Sequence, residues 1–180
     1  MKKLLIGFVI LTSMSCIPLK NAPRIADYDI VVAKKFKKDL PKSYAFVFQD
    51  NKKADEFYQF LYFKLGRIDY DLDADLPFKV GNKTYYLTFH ERPRQSVTLN
   101  LLPILVDATL QSQGVDPALG ELYESGDESW YILITVVDSE FRDCLKPSYA
   151  NQQEVVLALK ELKDEYNNTH HYAEAYLKQE

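Results

Sequence analysis

The order of apolar and polar residues along the chain shows two different periods. Between residues 84 and 89 apolar and polar side chains alternate, so that Tyr85, Leu87 and Phe89 share one face. This period of two is typical of a half-buried strand. Nearer the end of the chain, apolar residues recur at spacings of four, three and four, and they are Val155, Leu159, Leu162 and Tyr166. Those spacings predict a helix with one buried face.

The other segments continue this mixture of strands and helices. Strands are predicted near residues 28–33 and 43–49, in a hairpin over 122–131, and along the apolar stretch 130–137. Helices are predicted from about residue 57 to Gly66, as a buried apolar helix from about Pro103 to Leu110, and over 172–177. Together these elements predict an α+β or mixed α/β fold, in which helices pack on one small sheet of about four to five strands.

The first fifteen residues have the three parts of a secretory signal. Two lysines precede an apolar stretch from Leu4 to Leu11, and small residues follow at Ser13 and Ser15. The apolar stretch is much shorter than the roughly 20 residues that a membrane-spanning helix needs. The sequence therefore predicts an exported protein, with residues 1–15 as its signal peptide.

The stretch LTSMSC, which ends at Cys16, resembles the signal of bacterial lipoproteins. In that family the cysteine after the cut receives a diacylglyceryl thioether, and Leu usually stands where this chain has Ser13. The resemblance covers only the first sixteen residues. It implies that Cys16 is acylated and that membrane lipid is a partner. Because Ile17 rather than Asp follows the cysteine, it also implies an outer-membrane location facing the periplasm.

Two alternatives for Cys16 stay open. An ordinary signal peptidase also suits the same bond, because small residues stand one and three positions before the cysteine. Cys16 would then pair with Cys144, the other cysteine of the chain, or stay a thiol. Pro18 and Pro23 favour an extended tether over residues 16–26, and a single globular domain is predicted over 27–180.

The composition is that of a folded, acidic protein. Of its 180 residues, 47% are hydrophobic and 27% are charged, which is enough apolar material for a core. The formal net charge is −4, so a general affinity for nucleic acid is excluded. Aromatic residues make up 13%, and this content favours a sheet-rich core over the alternative of a recognition surface.

Four alternating aspartates form a candidate metal site, and they are Asp69, Asp71, Asp73 and Asp75. Their carboxylates suit calcium, a cation that binds about six to eight oxygen ligands. The pattern lacks the central Gly and the final Glu of the helix–loop–helix calcium loop, because Ala74 and Val80 stand at those positions. A solvated loop between a helix and a strand is therefore the favoured alternative.

A second polar group directly follows the strand that ends near residue 90. It concentrates an imidazole, a carboxylate and two guanidinium groups, which belong to His90, Glu91, Arg92 and Arg94. Arginine side chains bind carboxylates and phosphates with paired hydrogen bonds, so these residues are a candidate contact for a small ligand or a partner. The alternative is a charged loop with local ion pairs.

The sequence lacks the common catalytic motifs. It contains no Gly-x-Ser-x-Gly elbow, no phosphate-binding loop and no dinucleotide fingerprint, and only three histidines. No cofactor is predicted, and a binding role is favoured over catalysis. The predicted function is therefore that of a membrane-anchored lipoprotein of the cell envelope, which binds another envelope protein, a peptide or a glycan.

Two other functions remain as alternatives. One is an anchored hydrolase that uses carboxylates, either from the loop at residues 69–75 or from Asp138-Ser139-Glu140 at the end of the apolar strand. The other is an inhibitor or immunity-type protein that neutralises an enzyme by binding it.

Overall fold

The computed structural model describes residues 16–65, 75–114 and 116–177, which form an open antiparallel sheet and several helices. Six strands lie in the described ranges: β1 (Cys16–Lys20), β2 (Asp29–Val32), β3 (Tyr44–Asp50), β4 (Leu76–Val80), β5 (Lys83–Asn100) and β6 (Glu124–Val137). Their order is β1-β5-β6-β3-β2, and β4 also pairs with β5. The predicted mixture of α and β structure is confirmed.

The sheet has more strands than the predicted four to five. The prediction missed an edge strand, because such a strand needs no apolar alternation of its own. All five residues of β1 are exposed, and their backbone pairs with β5 from Val97 to Asn100. Such a strand is held by backbone hydrogen bonds, so its side chains give no signal in the sequence. Strand β5 also continues through Pro93, where the sequence predicts that the strand has ended.

The helices are mostly short. They are α1 (Ala33–Phe36), α2 (Glu56–Lys64), α3 (Leu101–Ser112), α4 (Gln152–Asn168) and α5 (Tyr172–Leu177), and a 3₁₀ turn covers Gly120–Leu122. Helix α2 ends before the predicted Gly66, which lies outside the described residues. In the described ranges, no helix has both the length and the hydropathy that would take it across a membrane.

The chain folds as two compact units. The small unit consists of Met1–Pro23 and Pro93–Ser129, and the large unit consists of Arg24–Arg92 and Trp130–Glu180. The predicted tether over 16–26 and the predicted single domain over 27–180 stay predictions. The predicted signal peptide, residues 1–15, lies outside the described residues.

An aromatic cluster fills the core of the large unit. Phe57 of α2 contacts Phe89 of β5 with 5.2 Å between ring centroids, and it meets Tyr166 of α4 edge-on at 5.0 Å. Phe48 of β3 packs against the same two rings, Phe57 and Tyr166, at 6.0 and 6.3 Å. Edge-on contacts of this kind suit the charge distribution of aromatic rings.

Helix α4 buries the stripe that its spacing predicts. Val155, Leu159, Leu162 and Tyr166 are all buried. Lys163 is buried as well, although a lysine in this pattern is expected on the polar side. Its ammonium group pairs with the Asp27 carboxylate, which compensates the charge.

In the small unit, β1 and β6 flank the second half of β5. Gly126 of β6 lies so close to the backbone of Ser96 that a Cβ atom there would collide with the Ser96 carbonyl oxygen. A glycine is therefore required at this point, and it permits the close approach of the two backbones.

Helix α3 contradicts the predicted buried apolar helix. Among its twelve residues, all of which are described, only Asp107 is buried. Leu102 and Leu105 are 54% and 61% exposed, and Val106 is also exposed. The helix was expected to bury its leucines because its composition is apolar, but Leu101, Ile104 and Leu110 are only partly buried.

Candidate functional site

The predicted contact residues lie on β5 and are divided between the two units. Arg94 belongs to the small unit, whereas the other three belong to the large unit. Those three line a pocket of about 350 Å³. The other lining residues are Asp55, which directly precedes α2, Tyr58 of α2 and Phe89 of β5. The structure thus brings three of the four residues to one pocket, and their role in binding stays a prediction.

Glu91 is the most unusual group in this pocket. Its Oε2 accepts the backbone N–H of Asp55 at 3.1 Å, while its buried Oε1 finds no partner among the described residues. Burial raises the pKa of Glu91, and the charges of Asp50 and Asp55 raise it further. The Asp55 N–H that contacts Glu91 belongs to a residue with φ of 68°, a strained left-handed conformation.

Arg92 already has a carboxylate partner. Its Nε donates to Asp39 Oδ2 at 2.8 Å, and its Nη1 donates to the backbone carbonyl of Glu91 at 2.9 Å. The hydrogen bond from Arg92 lowers the pKa of Asp39. These contacts of Arg92 are the local ion pairs that the alternative interpretation, a charged segment, predicts.

A polar cluster next to this pocket fixes the end of helix α4. Tyr166 donates its hydroxyl to the buried Asp50 at 3.0 Å, and burial nevertheless raises the pKa of Asp50. Lys52 donates its ammonium protons to the carbonyls of Tyr166 and Thr169, the latter at 2.7 Å, where the helix ends. A cation is favoured at the negative end of a helix, so this cluster has a structural role.

The candidate metal site falls largely outside the described residues. Asp69, Asp71 and Asp73 lie in the undescribed range 66–74, and Asp75 is exposed with φ of 57°. Among the described residues, no group of three or more His, Cys, Asp or Glu side chains is arranged to hold a metal ion. Calcium binding at 69–75 therefore stays a prediction.

A larger cavity of about 820 Å³ lies elsewhere in the large unit. Its lining comes from the start of β5, the end of β6 and the loop that leads to α4, and it includes Lys83, Tyr85, Arg142, Lys146, Ser148 and Asn151. Lys83 donates to Asn151 Oδ1 at 3.4 Å. Neither Lys83 nor Lys146 pairs with a carboxylate in the described part of the chain. Asp138 and Asp143 also line the cavity, so its basic side chains exceed its acidic ones by one.

Asp138 organises the loop on one side of this cavity. Its Oδ1 accepts the backbone N–H groups of Glu140 and Arg142 at 3.0 Å each. Its Oδ2 accepts Arg142 Nε at 2.7 Å and the Tyr149 hydroxyl at 3.1 Å. Burial alone would raise the pKa of Asp138, but these hydrogen bonds outweigh burial and lower it. Asp138 is therefore an ionised residue that positions the loop.

Tyr85 presents a hydroxyl group with unused hydrogen-bonding capacity. The residue is buried, it lines the cavity, and its hydroxyl has no hydrogen-bond partner within the described ranges. A buried polar group without a partner destabilises the fold.

The neighbouring Cys144 lacks the properties of a nucleophile. Burial raises the pKa of its thiol to about 11, and the thiol donates to the Arg142 carbonyl at 3.3 Å. A reactive cysteine needs a lowered pKa and solvent access. The default interpretation as a buried structural cysteine agrees with these contacts.

The sequence gives almost no signal for this cavity. Its residues come from three segments of ordinary composition, around 83–85, 138–143 and 146–151, which the fold brings together. The single clue is Asp138-Ser139-Glu140 at the end of an apolar strand, because functional groups often lie at strand ends. The lysines and Tyr85 have no motif around them that would mark them as a site.

Cys16 is the predicted lipid attachment point. It is exposed at the start of β1, its backbone pairs with Asn100, and its Sγ lies 3.3 Å from Asn100 Oδ1. Neither Cys16 nor Cys144 forms a disulfide bond. The thiol of Cys16 is therefore at the surface of the small unit.

No family model, curated protein or solved structure matches this chain. The site has to be interpreted from its own geometry. The cavity between Lys83 and Lys146 is larger than the pocket at Glu91, and its lining has one more basic than acidic side chain, whereas the whole chain is acidic.

Proposed function

We propose that the chain is an exported lipoprotein, anchored in the envelope through acylated Cys16 and facing the periplasm from the outer membrane. The signal pattern of residues 1–15 and the resemblance of LTSMSC to a lipoprotein signal support this address. The surface position of Cys16 on β1 is compatible with a bulky lipid on its sulfur.

The test of this address compares two cysteine variants with the wild-type protein. Mass spectrometry of the mature N-terminus is expected to find a lipid on Cys16, and the Cys16→Ala variant is expected to leave the membrane fraction. Cys144→Ala is the matched control and should stay membrane-bound. An unmodified Cys16 in membrane-extracted protein would overturn the proposal.

We propose further that the large unit binds a small anionic molecule, bearing a carboxylate or phosphate group, in the 820 Å³ cavity. The observation that carries this proposal is the buried Tyr85 hydroxyl, which lacks a partner in the described chain and lines a cavity with two lysines. Lysines supply the charge for an anion, and the hydroxyl supplies an oriented hydrogen bond.

Citrate is a suitable first probe for this cavity, with sodium chloride at equal ionic strength as the reference. Citrate is expected to raise the Tm of the wild-type protein and of Lys79→Ala, an exposed lysine outside the cavity lining. The rise should disappear in the Lys83→Ala, Lys146→Ala double variant. An equal rise in all three proteins would reject the cavity as the anion site.

Tyr85→Phe separates a binding role from a structural one. Removing an unpartnered buried hydroxyl should leave the ligand-free protein as stable as the wild type or more stable. The same change should weaken citrate binding. Tyr86→Phe, at the exposed neighbouring residue, is the matched control and should change neither property.

A second candidate function is hydrolysis with carboxylates, and the burial of Glu91 in a pocket, which raises the pKa of its carboxyl group, is the observation that favours it. A general acid must hold its proton near the working pH, and burial raises the pKa of Glu91 in a 350 Å³ pocket. Asp138 does not suit this role because its pKa is lowered. Loss of a measured hydrolase activity in Glu91→Gln, with the fold retained, would support this candidate.

A further inference from the structure

Helix α3 exposes several apolar side chains on one face of the small unit. Leu102, Leu105 and Val106 follow one another at spacings that place them on the same side of the helix. All three are exposed, and so are Leu122 of the 3₁₀ turn and Ile17 of β1. A cluster of exposed apolar side chains marks a surface that another apolar surface covers.

The orientation of α3 is fixed by the buried side of the helix. Asp107 accepts the backbone N–H groups of Ala118 and Leu119 at 3.0 and 2.8 Å, and the Tyr123 hydroxyl at 2.7 Å. Rotating the helix to bury its leucines would break all three bonds. The exposed leucines are therefore a consequence of specific contacts on the opposite side.

The lipid attachment point lies at the start of this helix. Cys16 pairs with Asn100, and Asn100 directly precedes Leu101, the first residue of α3. Asn100 also donates its side-chain N–H to the carbonyl of Leu122 at 2.9 Å. A lipid on Cys16 therefore brings membrane to the same part of the small unit that exposes Leu102 and Leu122.

We infer that the exposed face of α3 lies in the interfacial region of the lipid bilayer, beside the anchor. This inference rests on the proposed acylation of Cys16. The anchor holds the helix at the membrane surface. The contact between α3 and the bilayer is then intramolecular, so it forms even if it is weak. Short helices with one apolar face bind membranes in this way.

The exposed side of α3 carries no charged side chain, which suits contact with lipid. Asp107 is the only ionisable residue in the helix, and it is buried and hydrogen-bonded on the side away from the leucines. The exposed polar residues of the helix, which include Thr109, Gln111 and Ser112, are uncharged. No charged group of α3 would have to lose its hydration when the leucines enter the interface.

The test uses the acylated full-length lipoprotein, reconstituted in phosphatidylcholine vesicles whose acyl chains are brominated. Leu105→Trp in a Trp130→Phe background reports on α3, and Leu157→Trp in the same background is the control. Leu157 is similarly exposed, 58% against 61%, but it lies on α4 in the large unit. We expect bromine to quench the tryptophan at 105 at least about twofold more than the one at 157.

Three outcomes separate this inference from the proposed anchoring. A protein without lipid on Cys16 that fails to float with vesicles contradicts the anchoring. An acylated protein that floats, with a tryptophan at 105 quenched no more than at 157, overturns the membrane contact alone. A blue-shifted but unquenched tryptophan at 105 also overturns it, since a second copy or another protein then covers the face.

A photocrosslinking residue at position 105 gives the same comparison without changing Trp130. Benzophenone-alanine at 105 is expected to crosslink to lipid in native membranes, and at 157 it is not. A protein adduct at 105 in place of a lipid adduct would overturn the inference. This second measurement keeps the test valid if the Trp130→Phe background does not fold.

Discussion

Helices α3 and α4 differ in which kind of side chain they bury and which they expose. Helix α4 buries Leu159 in the aromatic core, as the spacing of its apolar residues predicts, and except for Lys163 its charged residues are at least partly exposed. Helix α3 buries Asp107 and exposes Leu102 and Leu105. The difference shows that an apolar helix is not necessarily a core helix. What decides its orientation is the set of contacts that it makes with the rest of the fold, and for α3 these are the hydrogen bonds of Asp107.

The largest expected effect is the loss of a core leucine from α4. Leu159→Ala leaves a cavity in the core of the large unit, so it should lower the free energy of unfolding by about 2–5 kcal/mol. Denaturant titration followed by circular dichroism measures this loss. Leu157→Ala, on the exposed side of the same helix, should change stability by less than about 0.5 kcal/mol. Equal losses in both variants would contradict the packing described for α4.

The second effect tests the buried side of α3. Asp107→Ala removes the acceptor of two backbone N–H groups and of the Tyr123 hydroxyl, and these donors then lack a partner. The variant should be less stable than the wild type, and the same titration measures the change. Asp116→Ala is the control, because Asp116 is exposed in the same unit. If the two variants are equally stable, Asp107 does not fix the helix.

The third effect compares the pH dependence of two carboxylates. Burial raises the pKa of Glu91, so its deprotonation opposes folding, and its contribution to stability is lost as the pH rises through the raised pKa. For Asp107, burial would raise the pKa, but the hydrogen bonds from Tyr123, Ala118 and Leu119 outweigh it. Its contribution is therefore present at neutral pH and is lost as the pH falls through the lowered pKa.

The two carboxylates should consequently respond to amide substitution in opposite directions. At pH 7, Glu91→Gln should be more stable than the wild type, and its advantage should vanish in acid below about pH 4. Asp107→Asn should be less stable at pH 7, and its deficit should shrink in acid. The measurement is the free energy of unfolding between pH 3 and 8. Parallel pH profiles in the two variants would contradict the assigned directions.

The smallest expected effect on stability belongs to the exposed leucines of α3. Leu102→Ser and Leu105→Ser remove side chains that contact little of the small unit, so each should change the free energy of unfolding by less than about 0.5 kcal/mol. A loss comparable to that of Leu159→Ala would show that the leucines are covered within the protein. The contrast between the two helices would then fail.

The sequence by itself determined the elements whose side chains alternate or recur strongly. The strand over Tyr85 to Phe89 and the buried stripe of α4 follow from periodicity, because packing one face of an element against a core imposes a regular pattern. It also determined that Glu91 stands among other charged groups. The mixed α and β class follows from these elements.

Only the tertiary structure decided which surfaces those elements meet. The exposed strand β1, the buried acid of α3 and the cavity between Lys83 and Lys146 all depend on contacts between residues far apart in the chain. A backbone hydrogen bond or a shared cavity leaves no periodic trace in either segment. The chain therefore encodes its helices and strands locally, whereas their orientation, and with it the proposed ligand and membrane surfaces, depends on long-range contacts.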